Sequence, residues 1–133
     1  MVEIKNRTFD AWALLLAAKT AHNIICELRI GLGHKHVRGW GYAQEDQRRA
    51  RSNYVKAIVD NPDMTPLMLH EQWRDRKMTE GWKYGEEYSI EKKTHPWLRS
   101  YAKLSAEQKA EGYLFGVTVR TILGMKLPGW RPM

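Results

Sequence analysis

Apolar residues recur every three or four positions in four stretches of this 133-residue chain. Leu14, Ala18, Ala21, Ile25, Leu28 and Leu32 form one stripe, which predicts a first helix over about residues 8–32. Thr8 is placed to cap it, and Asp10 falls in the first turn, where negative charge suits the helix dipole. Gly31 and Gly33 stop it. His22 and Asn23 stand mid-helix among apolar residues, either as satisfied core polar groups or as pocket-lining ones. A second helix is expected over about residues 45–59. There Ala50, Tyr54 and Ile58 share a face, while Arg48, Arg49, Arg51 and Lys56 point elsewhere. Asn61-Pro62-Asp63 ends it, because proline cannot continue a helix.

The third helix opens on Thr65-Pro66, a capping hydroxyl before a proline whose missing N–H costs nothing at the first position. Leu69, Trp73 and Arg76 or Lys77 follow along one side, and Gly81 closes it in a left-handed conformation. The fourth opens on Ser105-Ala106-Glu107-Gln108, a capping box. Leu114, Val117 and Thr121, with Phe115, Val119 and Ile122 beside them, carry it to about Gly124. Between the third and fourth helices, residues 82–104 show no period. That is long for a structureless loop, and Trp82, Tyr84, Tyr88, Trp97 and Tyr101 mark it as packed. The fold class expected is mainly α: a compact four-helix arrangement with a long aromatic-rich connecting segment and few or no strands. It is read as one domain over 1–133, divided into an N-terminal helical half (1–64), a second half (65–124) and a tail (125–133), in which Trp130 suggests docking.

Composition narrows the chemistry. The net charge of +7 favours anionic partners, with Arg48-Arg49-Ala50-Arg51 the densest basic run, a solvated helical face on its own terms. A non-specific nucleic-acid contact through that face is the third-ranked expectation, and a nucleic-acid partner is not expected. The single cysteine, Cys26, builds neither a disulfide framework nor a cysteine-based zinc site. With no apolar run of bilayer length and no signal-peptide core, the expectation is a cytoplasmic protein without membrane partners. His34 and His36 have no acidic or cysteine neighbour to complete a metal site, and neither metal nor cofactor is expected. His22 and Cys26 share a helical face, but a helix face lacks the oxyanion donors a nucleophile needs. Phosphate-loop glycine patterns are absent, so no enzyme is expected.

What remains is the aromatic and basic segment. Two phrases place rings between glycines: Gly39-Trp40-Gly41-Tyr42 and Gly81-Trp82-Lys83-Tyr84-Gly85. In an extended chain alternate side chains face opposite sides, so Trp82 and Tyr84 are expected on one face and Lys83 on the other. Trp40 would stand on an opposite wall. The rings serve either as wedges pinning a non-periodic segment or as plates on which a base stacks, with Lys83, Lys93 and Arg99 beside them for phosphates.

The order His70, Trp73, Lys77, Gly81-Trp82-Lys83-Tyr84-Gly85, Lys93-Thr94-His95-Pro96, Tyr101, Leu104 and then a capped helix resembles the ryanodine receptor (RyR) domain. The resemblance covers roughly residues 65–124. Ser89-Ile90-Glu91 stands where members of that family often carry an aspartate. RyR domains occur in tandem in the calcium channels and alone in bacterial and bacteriophage proteins, so the resemblance implies a small helical RyR-type protein. It implies a non-catalytic binding protein for an adenine-containing nucleotide. A cyclic ADP-ribose-like messenger is the ligand expected. In a phage such a protein would act as a sponge in the host cytoplasm against nucleotide-signalling immunity. The ligand-binding residues expected are Trp82, Tyr84, Trp97, Lys93, His95, Arg99, His70, Tyr101, Lys83 and Trp40. The alternative is a protein–protein interaction module docking a host or phage protein without nucleotide, with a homodimer formed through the tail and Trp130.

Overall fold

A computed structural model describes residues 2–4 and 7–130. The fold is mainly α. Its elements run β1 (Val2–Ile4), β2 (Arg7–Phe9), α1 (Ala11–Gly31), α2 (Glu45–Asp60), α3 (Pro66–Thr79), β3 (Lys83–Tyr84), β4 (Thr94–His95) and α4 (Ala106–Ile122), with 3-10 turns at Trp40–Tyr42 and Tyr101–Lys103. Two units divide them: residues up to 64 together with those from 111 onward, and Thr65–Ala110. Among the described residues no helix is long and apolar enough to cross a membrane.

The first unit opens on a small antiparallel pair, with Val2 opposite Phe9 and Ile4 opposite Arg7. That pairing corrects the expected start of α1. Thr8 belongs to β2, and Asp10 is the N-cap, its carboxylate accepting the Trp12 N–H at 2.7 Å. The buried stripe of α1 is Leu14, Ala17, Ala18, Ala21, His22, Ile25 and Cys26. Its alanines let another backbone come close. Leu32, expected on that stripe, lies past the helix and is exposed. Val55, Ile58 and Val59 are the buried face of α2, and Phe115 and Val119 are buried on α4. Each such side chain contributes roughly 1.5–3 kcal/mol on burial.

The buried face of α4 differs from the expected one. Glu111, Phe115, Gly116, Val119 and Arg120 are inside, whereas Val117 and Thr121 are exposed. Two charged residues take core positions because each has partners there. Glu111 accepts from Arg29 Nε at 2.9 Å and Nη2 at 2.6 Å. Arg120 Nη2 donates to the carbonyls of Pro62 at 3.1 Å and Met64 at 2.9 Å. Gly116 makes room for that guanidinium, since a Cβ there would lie 2.7 Å from Arg120 Nη1. The tail folds back on its own chain. Trp130 Nε1 donates to the Asp63 carbonyl at 3.0 Å, and its ring meets Tyr113 edge-on at 6.0 Å.

The second unit carries the signals read from the sequence. Thr65 Oγ1 accepts from the Met68 N–H at 3.1 Å, with Pro66 opening α3. Ser105 and Gln108 exchange bonds of 2.9 and 3.1 Å at the start of α4, the reciprocal geometry of a capping box. The 82–104 segment is pinned by a short parallel pair, Lys83 opposite Thr94 and Tyr84 opposite His95, and by a bridge between Ser89 and Thr94.

Candidate functional site: an aromatic and basic cluster

The site is built outward from the end of α3. Gly81 adopts φ +93°, and the Trp82 N–H returns to the Lys77 carbonyl at 2.9 Å while the Gly81 N–H meets Met78 at 3.0 Å. This is a Schellman closure, which a residue with a Cβ adopts only under strain. It sets the direction in which Trp82 leaves the helix. Lys93 finishes the cap. At φ +53° its backbone turns so that Nζ donates to the Glu80 carbonyl at 2.9 Å. The expected phosphate role of Lys93 therefore competes with a bond that neutralises a helix C-terminus.

From that closure a continuous row of rings runs through the unit. Trp82 stacks on Tyr88 at 5.9 Å and 25°, and Tyr88 meets His95 edge-on at 5.4 Å. His95 meets Trp73 at 5.0 Å, Trp73 meets His70 at 5.8 Å, and His70 meets Tyr101 at 5.9 Å. Offset and edge-on contacts of this kind add to the area buried. Hydrogen bonds fix the imidazoles in the row. His70 Nε2 donates to the Arg99 carbonyl at 2.7 Å, and His95 Nδ1 accepts the Trp97 N–H at 3.0 Å. Glu71 holds the Tyr101 N–H with one oxygen and Arg74 with the other, both at 3.2 Å.

Cations lie on these rings. Lys77 Nζ sits 5.2 Å from the Trp82 centroid, Lys109 Nζ 5.5 Å from Tyr101, and the Arg99 guanidinium 4.9 Å from Tyr84. Arg99 is half-buried, its Nε is buried without a hydrogen-bond partner, and among the described residues no carboxylate pairs with it. Tyr84, on whose ring the guanidinium lies, is 45% exposed.

The ten residues expected from the sequence thus fall into distinct settings. Arg99 and Tyr84 form one cation–ring pair, Trp82 with Tyr88 and Lys77 a second group. His70, His95 and Tyr101 lie within the ring row, His70 buried and the other two half-buried. Trp97 is half-buried, and Lys83 is exposed. Trp40 belongs to the first unit, where its N–H meets Asn23 Oδ1 at 2.9 Å and its ring meets His22 edge-on at 5.8 Å. Tyr88, Trp73 and Lys77 were outside the expected set. For α3 the signal was that His70, Trp73 and Lys77 share a helical face; Tyr88 was legible as a packed ring of the segment, but its partners Trp82 and His95 were not.

The first unit holds a second polar group. His22 Nε2 donates to the Arg38 carbonyl at 2.9 Å, and His22 Nδ1 accepts from Arg51 Nε at 3.2 Å. Cys26 Sγ lies 3.4 Å from His22 Nε2 and donates to the same carbonyl at 3.3 Å. Burial first, then the neighbouring Arg51 and Arg29 charges, hold His22 below its ordinary value, and burial pushes the Cys26 thiol up. A neutral imidazole beside a protonated thiol is poor nucleophilic machinery. Arg51, expected on the outer face of α2, turns inward to His22 and lies 5.7 Å from the Phe115 ring.

No curated protein matches this chain. Residues 62–127 match the family model of the RyR domain, a range that takes in α3, the ring row and α4. In that range stand the helix closure at Gly81, the paired Lys83–Tyr84 and Thr94–His95 segments and the capped final helix, and the chain belongs to the RyR domain family.

Proposed function

We propose that this protein binds an adenine-containing nucleotide, without turning it over, on the Tyr84–Arg99 flank of its second unit. The observation that carries this reading is the Arg99 guanidinium, half-buried and without a carboxylate partner, over a tyrosine ring that is itself 45% exposed. A base stacked on Tyr84 gains about 1–3 kcal/mol. The terminal nitrogens of the guanidinium then have hydrogen bonds to offer to phosphate oxygens, in the forked geometry arginine supplies. Exposed Lys83 adds positive charge nearby. The ligand proposed is a cyclic ADP-ribose-like messenger. A binder of that kind, encoded by a phage, would lower the free concentration of a host signal by sequestration.

Isothermal titration calorimetry with ADP-ribose, cyclic ADP-ribose and a cyclic dinucleotide tests this. Binding of at least one is expected. Arg99→Met and Tyr84→Ala should each weaken it by about tenfold or more, from loss of a charge-assisted contact and of stacking respectively. No heat with any of the three at micromolar protein would overturn the proposal. A second reading, protein docking without nucleotide, rests on the exposure of Tyr84, Tyr88 and Ile90 on the same segment.

A further inference from the structure

Opposite the buried stripe of α1 runs a second row: Trp12, Leu16, Lys19, Asn23, Glu27 and Ile30, spaced three or four residues apart. Trp12 is 63% exposed, Leu16 39% and Ile30 52%, while Lys19 and Glu27 are exposed and Asn23 half-buried. Apolar side chains at both ends of this line flank a polar stretch, Lys19, Asn23 and Glu27.

The row carries its own indication of what covers it. Leu16 and Ile30 stand seven residues to either side of Asn23, and Lys19 and Glu27 stand four to either side. The apolar pair is alike and the charged pair is opposite. Two such helices laid antiparallel across a twofold axis at Asn23 bring Leu16 against Ile30 of the partner subunit. They also bring Lys19 against Glu27 of the partner subunit, twice over by symmetry. A parallel arrangement would set Lys19 against its own copy and Glu27 against its own, which like-charge repulsion disfavours. At the axis, Asn23 Oδ1 is already taken by the Trp40 N–H at 2.9 Å.

We propose that α1 is a homodimer interface, two copies of the chain packing antiparallel about a twofold at Asn23 with reciprocal Lys19–Glu27 pairs. This surface lies on α1, apart from the tail and its Trp130. Sedimentation equilibrium of the full chain tests it. The wild type should show a concentration-dependent dimer. Leu16→Glu should be monomeric at the same concentrations, with circular dichroism unchanged because Leu16 is outside the core. Lys19→Glu or Glu27→Lys alone should raise the dimer dissociation constant about tenfold or more, by placing like charges together at two symmetric points. The double variant Lys19→Glu/Glu27→Lys should return it close to the wild-type value. A wild type that stays monomeric through the micromolar range overturns the proposal. So does a dimer that ignores these substitutions, or a double variant as weak as the singles.

Discussion

Replacing Gly85 by alanine tests why the second glycine of the Gly-Trp-Lys-Tyr-Gly phrase is there. Its φ lies outside the left-handed range, so backbone freedom is not the reason. The reason is proximity. A Cβ at Gly85 would lie 2.6 Å from Thr94 Cβ, 2.9 Å from its Cγ2 and 3.2 Å from its Oγ1. Carbon atoms prefer about 3.5–4.0 Å, so the two segments must part by most of an ångström. Thr94 is poorly able to yield. Its hydroxyl donates to the Glu87 carbonyl at 2.8 Å, and its backbone exchanges two bonds of 3.0 Å with Ser89. Overpacking of this sort costs about 1–3 kcal/mol, and losing one of those hydrogen bonds adds about 1 kcal/mol. Against this, alanine stiffens the unfolded chain and returns about 0.4–1 kcal/mol. The net expectation is a destabilisation of about 1–3 kcal/mol, read from the urea midpoint followed by tryptophan fluorescence. Thr94→Gly removes the obstructing Cβ, so in a double-mutant cycle Gly85→Ala should cost about 1 kcal/mol less in that background. A neutral or stabilising Gly85→Ala in the wild type would refute the steric argument.

Three further outcomes are expected from the first unit. Glu111→Gln removes the carboxylate charge that meets Arg29, at a site where Glu111 is buried and the Arg29 side chain is 25% exposed. The partial exposure of Arg29 brings the expected loss to about 2–3 kcal/mol, and an equilibrium denaturation cycle with Arg29→Met should show coupling well above a surface pair. Arg120→Met keeps the volume but strands the carbonyls of Pro62 and Met64, at a cost of about 2–4 kcal/mol by the same measurement. His22 sets a pH dependence. Because its native value is depressed by burial and by Arg51 and Arg29, the unfolded chain takes up the proton first as pH falls below about 6.5. Stability is therefore complete above that pH and is lost below it, with a slope of up to about 1.4 kcal/mol per pH unit. His22→Gln should flatten the denaturation midpoint between pH 5 and 7 relative to wild type; an unchanged slope would assign the dependence to other groups.

How much of this was legible beforehand follows the range of the forces involved. Helix boundaries set by groups within one turn were readable: Thr65 capping Met68, the Ser105–Gln108 exchange, and the left-handed glycine at Gly81. At the start of α1 the local signal misled, because pairing with Val2–Ile4 commits Thr8 to a strand and leaves Asp10 to cap. The family was also legible, since an ordered run of unlike residues identified it before any contact was known.

The site was legible as a set of residue types, not as an arrangement. The identity of Arg99, Tyr84, Trp82 and His95 as a ring-and-cation group is in the sequence. That Lys93 is spent on the Glu80 carbonyl and Arg99 lies on Tyr84 is not, because those contacts span 13 residues or depend on the β3–β4 pairing. The sidedness of α4 and of Arg51 is the plainest case. Periodicity assigns charged residues to water, and here Glu111 and Arg120 are buried and Arg51 turns inward. Their partners stand 82, 56 and 29 residues away. A charge is stable inside only where a partner meets it, and which partner is near is a property of three-dimensional packing. The sequence by itself determined the helix ends that are set within one turn, such as those of α3, and which family the chain joins. Only the tertiary structure decided which charges are buried, and which arginine lies on the Tyr84 ring.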